Sequence, residues 1–148
     1  MATDVKKVIE LVKEEIGKGI PEGAEAESIM QDPDGNIQLK LGIKCHREIV
    51  TEIGFFAAPE IPIDVVAAMA SMTQLAKGQS VMAASLIKPE AIEEALSDDG
   101  KVDDENMVAV NAAVLMLKEC LRRYSVVYQE RNRKLREEME NKEKEQQN

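Results

Sequence analysis

The chain has no tryptophan, and its aromatic residues are Phe55, Phe56, Tyr124 and Tyr128, only 3% of 148 residues. Stacking platforms for single-stranded nucleic acid need more aromatic faces than that. There is one histidine, His46, and there are two cysteines, Cys45 and Cys120. So few thiols exclude a disulfide framework, and a zinc site of four Cys or His ligands cannot be assembled from one chain. Positive charge is also short: Lys and Arg number 19 against 28 Asp and Glu, a net charge of −9. A polyphosphate partner would be repelled by the chain as a whole. The longest apolar run, 61–76, is broken by Asp64, Thr73 and Gln74 and falls short of the roughly 20 apolar residues that span a bilayer. The N-terminal stretch MATDVKKVIELVKEEIGKG mixes acids and lysines and lacks the apolar region of a signal peptide. The expectation is a soluble, cytoplasmic protein with reduced thiols, binding neither nucleic acid nor membrane.

What is present is enough apolar residue, 44% of the chain, to build one core of ordinary domain size. The charge is uneven. From Val126 to Asn148 there are six basic and six acidic residues, so the whole net negative charge belongs to the part before it. This divides the chain into a single domain, residues 1–128, and a charged C-terminal extension, 129–148, either helical or frayed.

Val5, Val8, Ile9, Val12 and Ile16 form one apolar stripe and predict a helix over 3–18, capped by Thr3 or Asp4 and ended by Gly17 and Gly19. Residues 28–31 form a short strand candidate. Asp32-Pro33-Asp34-Gly35 is a turn, since Pro fixes one φ and Gly accepts positive φ. Ile37, Leu39, Leu41 and Ile43 alternate with polar or small residues and predict a half-buried strand. Cys45-His46-Arg47 reads as a hairpin connection, and 48–56 resumes strand character through Ile49, Thr51, Ile53 and Phe55. Helices are then predicted over 62–77, 80–86 and 89–96, a loop over 97–100, and a long helix from Asp103 or Asp104. Strands grouped before helices indicate an α+β fold: an N-terminal helix, a small antiparallel sheet of two to three strands, and three to four helices packed on it.

The familiar catalytic motifs are missing. No Gly-rich phosphate loop, Gly-x-Ser-x-Gly elbow or EF-hand spacing occurs. Adjacent Cys45 and His46 could be proposed as a nucleophile and base, or His46 as a metal ligand. Neighbours on an extended strand point to opposite faces, however, so the pair reads as an incidental thiol beside a turn. Cys120, next to Leu117, Leu121 and Tyr124, reads as a small buried hydrophobe. The carboxylate pairs Asp98-Asp99, Asp103-Asp104 and Glu93-Glu94 lie near predicted helix starts and read as dipole partners. Met69, Met72, Met82, Met107 and Met116 read as core packing.

From Asn36 onward the chain resembles the NifU/IscU-type scaffold domain of iron–sulphur cluster assembly. IQLKLGIK is similar to that family's first long strand, and EIVTEIGFF to the second. VVAAMASMTQLAKGQSVMAASLI resembles the small-residue helix, its Lys-Gly ending and the next short helix. MVAVNAAVLMLKECLRRY is similar to the final helix, which ends near a Tyr. The likeness covers roughly 25–125, with Thr73, Lys77-Gly78 and Tyr124 among its few identities. It implies a cluster held by three cysteines, which fall here at or near Asp34, Pro62 and Ala109. None of these is a cysteine, and Cys45 and Cys120 match no ligand position. The family's chaperone-recruiting Leu-Pro-Pro-Val-Lys run has no counterpart between Asp98 and Asn106. Cluster ligation needs converging thiolates or imidazoles.

The resemblance with its vacated ligand positions implies a non-catalytic, degenerate scaffold without a cofactor. It would act as a protein-binding module for protein partners such as iron–sulphur assembly components. A structural protein or homo-oligomer using the long C-terminal helix is the alternative. A metal- or small-molecule-binding enzyme using Asp34, His46 and Asp64 is a third reading, supported by residue type alone.

Overall fold

The computed structural model of the chain describes residues 5–97 and 104–147. Helix α1 (Val5–Lys13) precedes strands β1 (Ala26–Gln31), β2 (Ile37–His46) and β3 (Ile49–Ala57); helices α2 (Ile63–Ala76), α3 (Val81–Ser85), α4 (Pro89–Leu96) and α5 (Asp104–Gln147) follow. The strands form one antiparallel sheet in the order β1-β2-β3. This is the α+β arrangement the segregated pattern predicts.

The period-two pattern of β2 decides which face is covered. Leu41 lies between Ser28 and Phe55 in the pairing register. Leu39, Leu41 and Ile43 with Phe55 are buried in the core, which also takes in the buried faces of α2 and α5. Helix α2 reads IDVVAAMASMTQLA, and its alanines at 67, 68 and 70 are fully buried together with Met69 and Met72. Small side chains at these positions let neighbouring elements approach closely. Helix α5 runs antiparallel to β1: the Ser28 hydroxyl donates to the Met116 carbonyl at 2.8 Å, and Cys120 Sγ lies 3.5 Å from the Ala26 carbonyl.

Five expectations are corrected. Helix α1 ends at Lys13, not residue 18, because Glu15 turns to φ 54° and Gly17 to φ 72°. Its stripe is also narrower than expected: Val8 is buried but Ile9 is half exposed. The hairpin connection is Arg47-Glu48, with both residues at positive φ (51° and 62°), while Cys45 and His46 belong to β2. That two-residue form matches the twist of the flanking strands. A bulge between Lys44 and Cys45 sets Cys45 opposite Val50. The buried residues of β3 are therefore Val50, Ile53, Gly54 and Phe55, whereas Ile49 and Thr51 face solvent. Met82 is 75% exposed on α3, so it packs no core, unlike Met69, Met72 and Met116. The expected caps Thr3 and Asp4, the loop at 98–100 and Asp98, Asp99 and Asp103 lie outside the described residues, as does most of the stretch compared with the chaperone-recruiting run.

The outer edge of β3 is paired at both ends. The Phe55 N–H donates to Gly17 O (2.7 Å), and the Gly19 N–H donates back to Phe55 O (2.8 Å). At the other end Gly78 N–H donates to Val50 O (2.7 Å), Val50 N–H to Gln79 O (2.8 Å), and Val81 N–H to Glu48 O (2.8 Å). An open edge would otherwise template pairing with another chain. The approach of the first ribbon depends on glycine. A Cβ at Gly54 would collide with the Gly19 carbonyl oxygen, and one at Gly17 would collide with the Thr73 side chain.

Candidate functional site

The ligand positions implied by the family resemblance share one end of the sheet. Asp32, not Asp34, organises the β1–β2 turn there. Its carboxylate accepts from the backbone N–H groups of Asp34 (3.0 Å) and Asn36 (2.8 Å) and from the side-chain amide of Gln38 (3.2 Å). The Asn36 N–H bond leads the set that holds this carboxyl below its ordinary value. Asp34 itself points to solvent. An Asp opening an Asp-Pro-Asp-Gly turn is the signal that could have singled out Asp32, since such side chains bond the backbone two residues on. Ala58 N–H donates to Gln38 O at 2.9 Å and so ties this turn to the β3–α2 loop. That loop ends in Pro62, which caps α2 at φ −59° and whose carbonyl accepts from Val65 and Val66.

Ala109 reaches the same end along α5. With Ser28 fixed on Met116, Ala109 lies about 10 Å further along the antiparallel helix. Gln31 lies a similar distance, about 10 Å, further along β1. The Ala109 methyl is buried in the core. This donor set does not fit an iron–sulphur cluster: it offers one solvent-facing carboxylate, a proline with no donor atom and a buried methyl.

Both thiols lie elsewhere. Cys120 is fully buried, about 16 Å along α5 from Ala109 at 1.5 Å per residue. Burial pushes its thiol up to about 12, with the Cys45 thiol and Glu27 adding to the effect. Cys45 is half-buried near the far end of β2, its thiol pushed up to about 11 by burial and then by Glu25, against a hydrogen bond from Tyr124. At neutral pH both are thiols rather than thiolates, the unreactive form. The cluster around Cys45 was not apparent in sequence. Glu25 accepts from the Cys45 N–H at 2.9 Å and from the Arg131 guanidinium at 2.7 Å. Burial raises the Glu25 carboxyl, but the Arg131 and Cys45 hydrogen bonds outweigh it and leave it below its ordinary value. The link spans residues far apart in sequence, which no local pattern could show.

His46 ends β2, exposed and paired with Ile49. Asp64 lies in the first turn of α2. The ten residues of β2 separate the Asp34 turn from His46 by about 30 Å, so Asp34, His46 and Asp64 form no common site. Among the described residues no three His, Cys, Asp or Glu side chains are grouped to hold a metal ion, and no helix is long and apolar enough to cross a membrane. Two open grooves of about 640 Å³ mark the surface. One lies beside the β3–α2 loop, floored by Val12, Ile20, Phe55, Ile61 and Val66 with Phe56 at its rim. The other runs between α3 and α5, past Val81, Met82, Lys118 and Leu121.

This architecture is the NifU-like fold: an antiparallel sheet covered by a small-residue helix and a long final helix. The structure is similar to the N-terminal NifU-like protein described as nitrogen-fixing from Brucella abortus, at 12% identity over 81% of this chain and 92% of that one, TM-score 0.55. It is also similar to a protein of Fervidobacterium islandicum AW-1 named as an iron–sulfur cluster assembly scaffold for the SUF system, at 15% identity over 80% and 93%, TM-score 0.52. A hypothetical protein solved at 2.3 Å superposes with 18% identity over 79% and 95%, TM-score 0.60. No family model and no curated protein sequence matches the chain. At these identities the likeness is one of fold.

Proposed function

We propose that the chain is a NifU/IscU-like domain that has kept the scaffold fold without the scaffold chemistry, and that it acts non-catalytically by binding proteins. The observation that carries this reading is the composition of the ligand end. Asp34, Pro62 and Ala109 stand where sulphur donors would be needed, while Cys45 and Cys120 lie near the opposite end with their thiols held protonated. The groove beside the β3–α2 loop supports a binding role, because Phe56 is 46% exposed at its rim next to an apolar floor. The names of the fold neighbours make iron–sulphur assembly components the proposed partners.

Anaerobic reconstitution of the full chain with ferrous iron and sulphide tests the loss of ligation. The expected result is no stoichiometric, stable visible absorption. A stable cluster on the monomer overturns the reading, and its loss in the C45S/C120S variant would identify the thiols responsible.

A further inference from the structure

Helix α5 outruns the domain it packs on. It is 44 residues long, about 66 Å at 1.5 Å per residue. Among the described residues its last ion pair with the body is Arg131–Glu25 at 2.7 Å. From 133 to 146 every residue is exposed.

The buried stripe of α5 does not stop where the body stops. Leu117, Leu121 and Tyr124 are buried and Tyr128 packs against the core. At 100° per residue, Leu135 and Met139 fall on the same face as these four. They are 52% and 63% exposed. The stripe thus continues past the sheet with nothing among the described residues against it.

The charges around it are sorted into blocks. Arg131, Arg133, Lys134 and Arg136 come first, and Glu137, Glu138, Glu140, Glu143 and Glu145 follow, with Lys142 and Lys144 among them. Arg133 bridges to Glu130 (2.8 Å) and Glu137 (3.6 Å) within the helix. Lys134, Arg136, Glu138, Glu140 and Glu143 make no ion pair among the described residues. A segment basic in its first half and acidic in its second complements a reversed copy of itself. A polyanion would meet the acidic half, and a parallel copy would set base on base and acid on acid.

We propose that the occupant of this stripe is the same segment of a second copy of the chain, packed antiparallel about a two-fold axis near Glu137. Leu135 of each copy then packs against Met139 of the other. The basic half of each helix lies along the acidic half of its partner. A two-fold contact of this kind is closed and self-complementary. Its area, two helices of about 15 residues with one apolar pair per half, falls in the small class below about 1,200 Å². The dimer is therefore weak, reversible and sensitive to salt. The interface lies outside the folded body, so it is independent of what the domain binds.

Sedimentation velocity of the full chain from about 10 to about 500 µM, at about 0.05 M and about 0.5 M salt, tests this, because salt shortens the reach of charge pairing. Expected is a monomer–dimer equilibrium that shifts toward dimer with concentration and back toward monomer with salt. L135E/M139E should remain monomeric throughout with an unchanged thermal melt of the body. Two charge-block variants, R133E/K134E/R136E and E137K/E138K/E140K, should each be monomeric alone and should associate when mixed. A wild type that is monomeric across the range overturns the proposal. So does a dimer that survives L135E/M139E, which would place the contact elsewhere, and so does failure of the mixed charge-block variants to pair.

Discussion

Replacing Gly54 by Ala should be among the most damaging single-methyl additions in the sheet. Gly54 does not have the positive φ that singles out other glycines of the chain, so the effect is one of space alone. The added Cβ would run into the Gly19 carbonyl oxygen, with Gly17 O also 3.2 Å away. Both neighbours are backbone, and both belong to the ribbon bonded to Phe55, so they cannot rotate out of the way. If the ribbon stays, overpacking of this kind costs about 1–3 kcal/mol. If it lifts, two hydrogen bonds worth about 0.5–1.5 kcal/mol each are lost. The apolar contacts under Ile16 and Ile20 loosen with them. A loss of about 3 kcal/mol is expected. Gly42→Ala is the control. The Cβ there would meet the Ile20 Cγ2 methyl at 2.7 Å and the Ala24 Cβ at 3.3 Å, side-chain atoms of a loop that can shift aside, so the loss should lie near the lower end of the about 1–3 kcal/mol that overpacking costs. Urea unfolding at constant m-value reads the two differences directly. If Gly54→Ala loses no more than Gly42→Ala, the close-approach reasoning is wrong.

Ser71 is buried with its hydroxyl unpartnered among the described residues. Ser71→Ala removes that desolvated group and improves helix propensity, and should stabilise by about 1 kcal/mol in the same unfolding assay; destabilisation would show that the hydroxyl has a partner. Glu25→Gln tests the tie between β2 and α5. The Glu25 carboxyl lies below its ordinary value of 4.5, so its contribution is fully present above that pH and is lost as pH falls through the folded value. The half-exposed Arg131 limits the pair to about 0.2–1 kcal/mol. Melts from pH 7 down to about pH 3 should show a wild-type advantage that is constant at the upper end and shrinks below 4.5. An advantage independent of pH would assign the stability to packing instead.

Local pattern carried the elements with one-sided burial. Ile37, Leu39, Leu41 and Ile43 alternate and the strand is where they predict it, although Ile37 at its first position is exposed. The same reasoning failed one strand later, because the bulge at Lys44/Cys45 shifts the phase of β3 and brings Val50 inward in place of Ile49 and Thr51. Nothing in Arg47-Glu48 announces a turn at positive φ, since neither Gly nor Asn is there. Helix α1 was overrun because Ile16 keeps the helical spacing after the backbone has already turned at Glu15. Asp34, Pro62 and Ala109 carry no local signal of their own and stand out in sequence only through the resemblance to the NifU/IscU-type family. The Asp32 turn, the Glu25–Arg131 tie and the grooves depend on segments that meet only in three dimensions.

The doubly paired edge of β3 has a consequence for how the molecule comes together. One strand receives hydrogen bonds from a segment before the sheet and from a segment after α2, so neither can close until β3 is in place. Those contacts join Gly17 to Phe55 and Val50 to Gly78, about 38 and about 28 residues apart, and their loop-closure cost falls before the reward of burial. Both ribbons must also come off before β3 itself can open. The two ribbons should therefore close after the hairpin-linked strands have paired, and β3 should open only together with them as one cooperative unit.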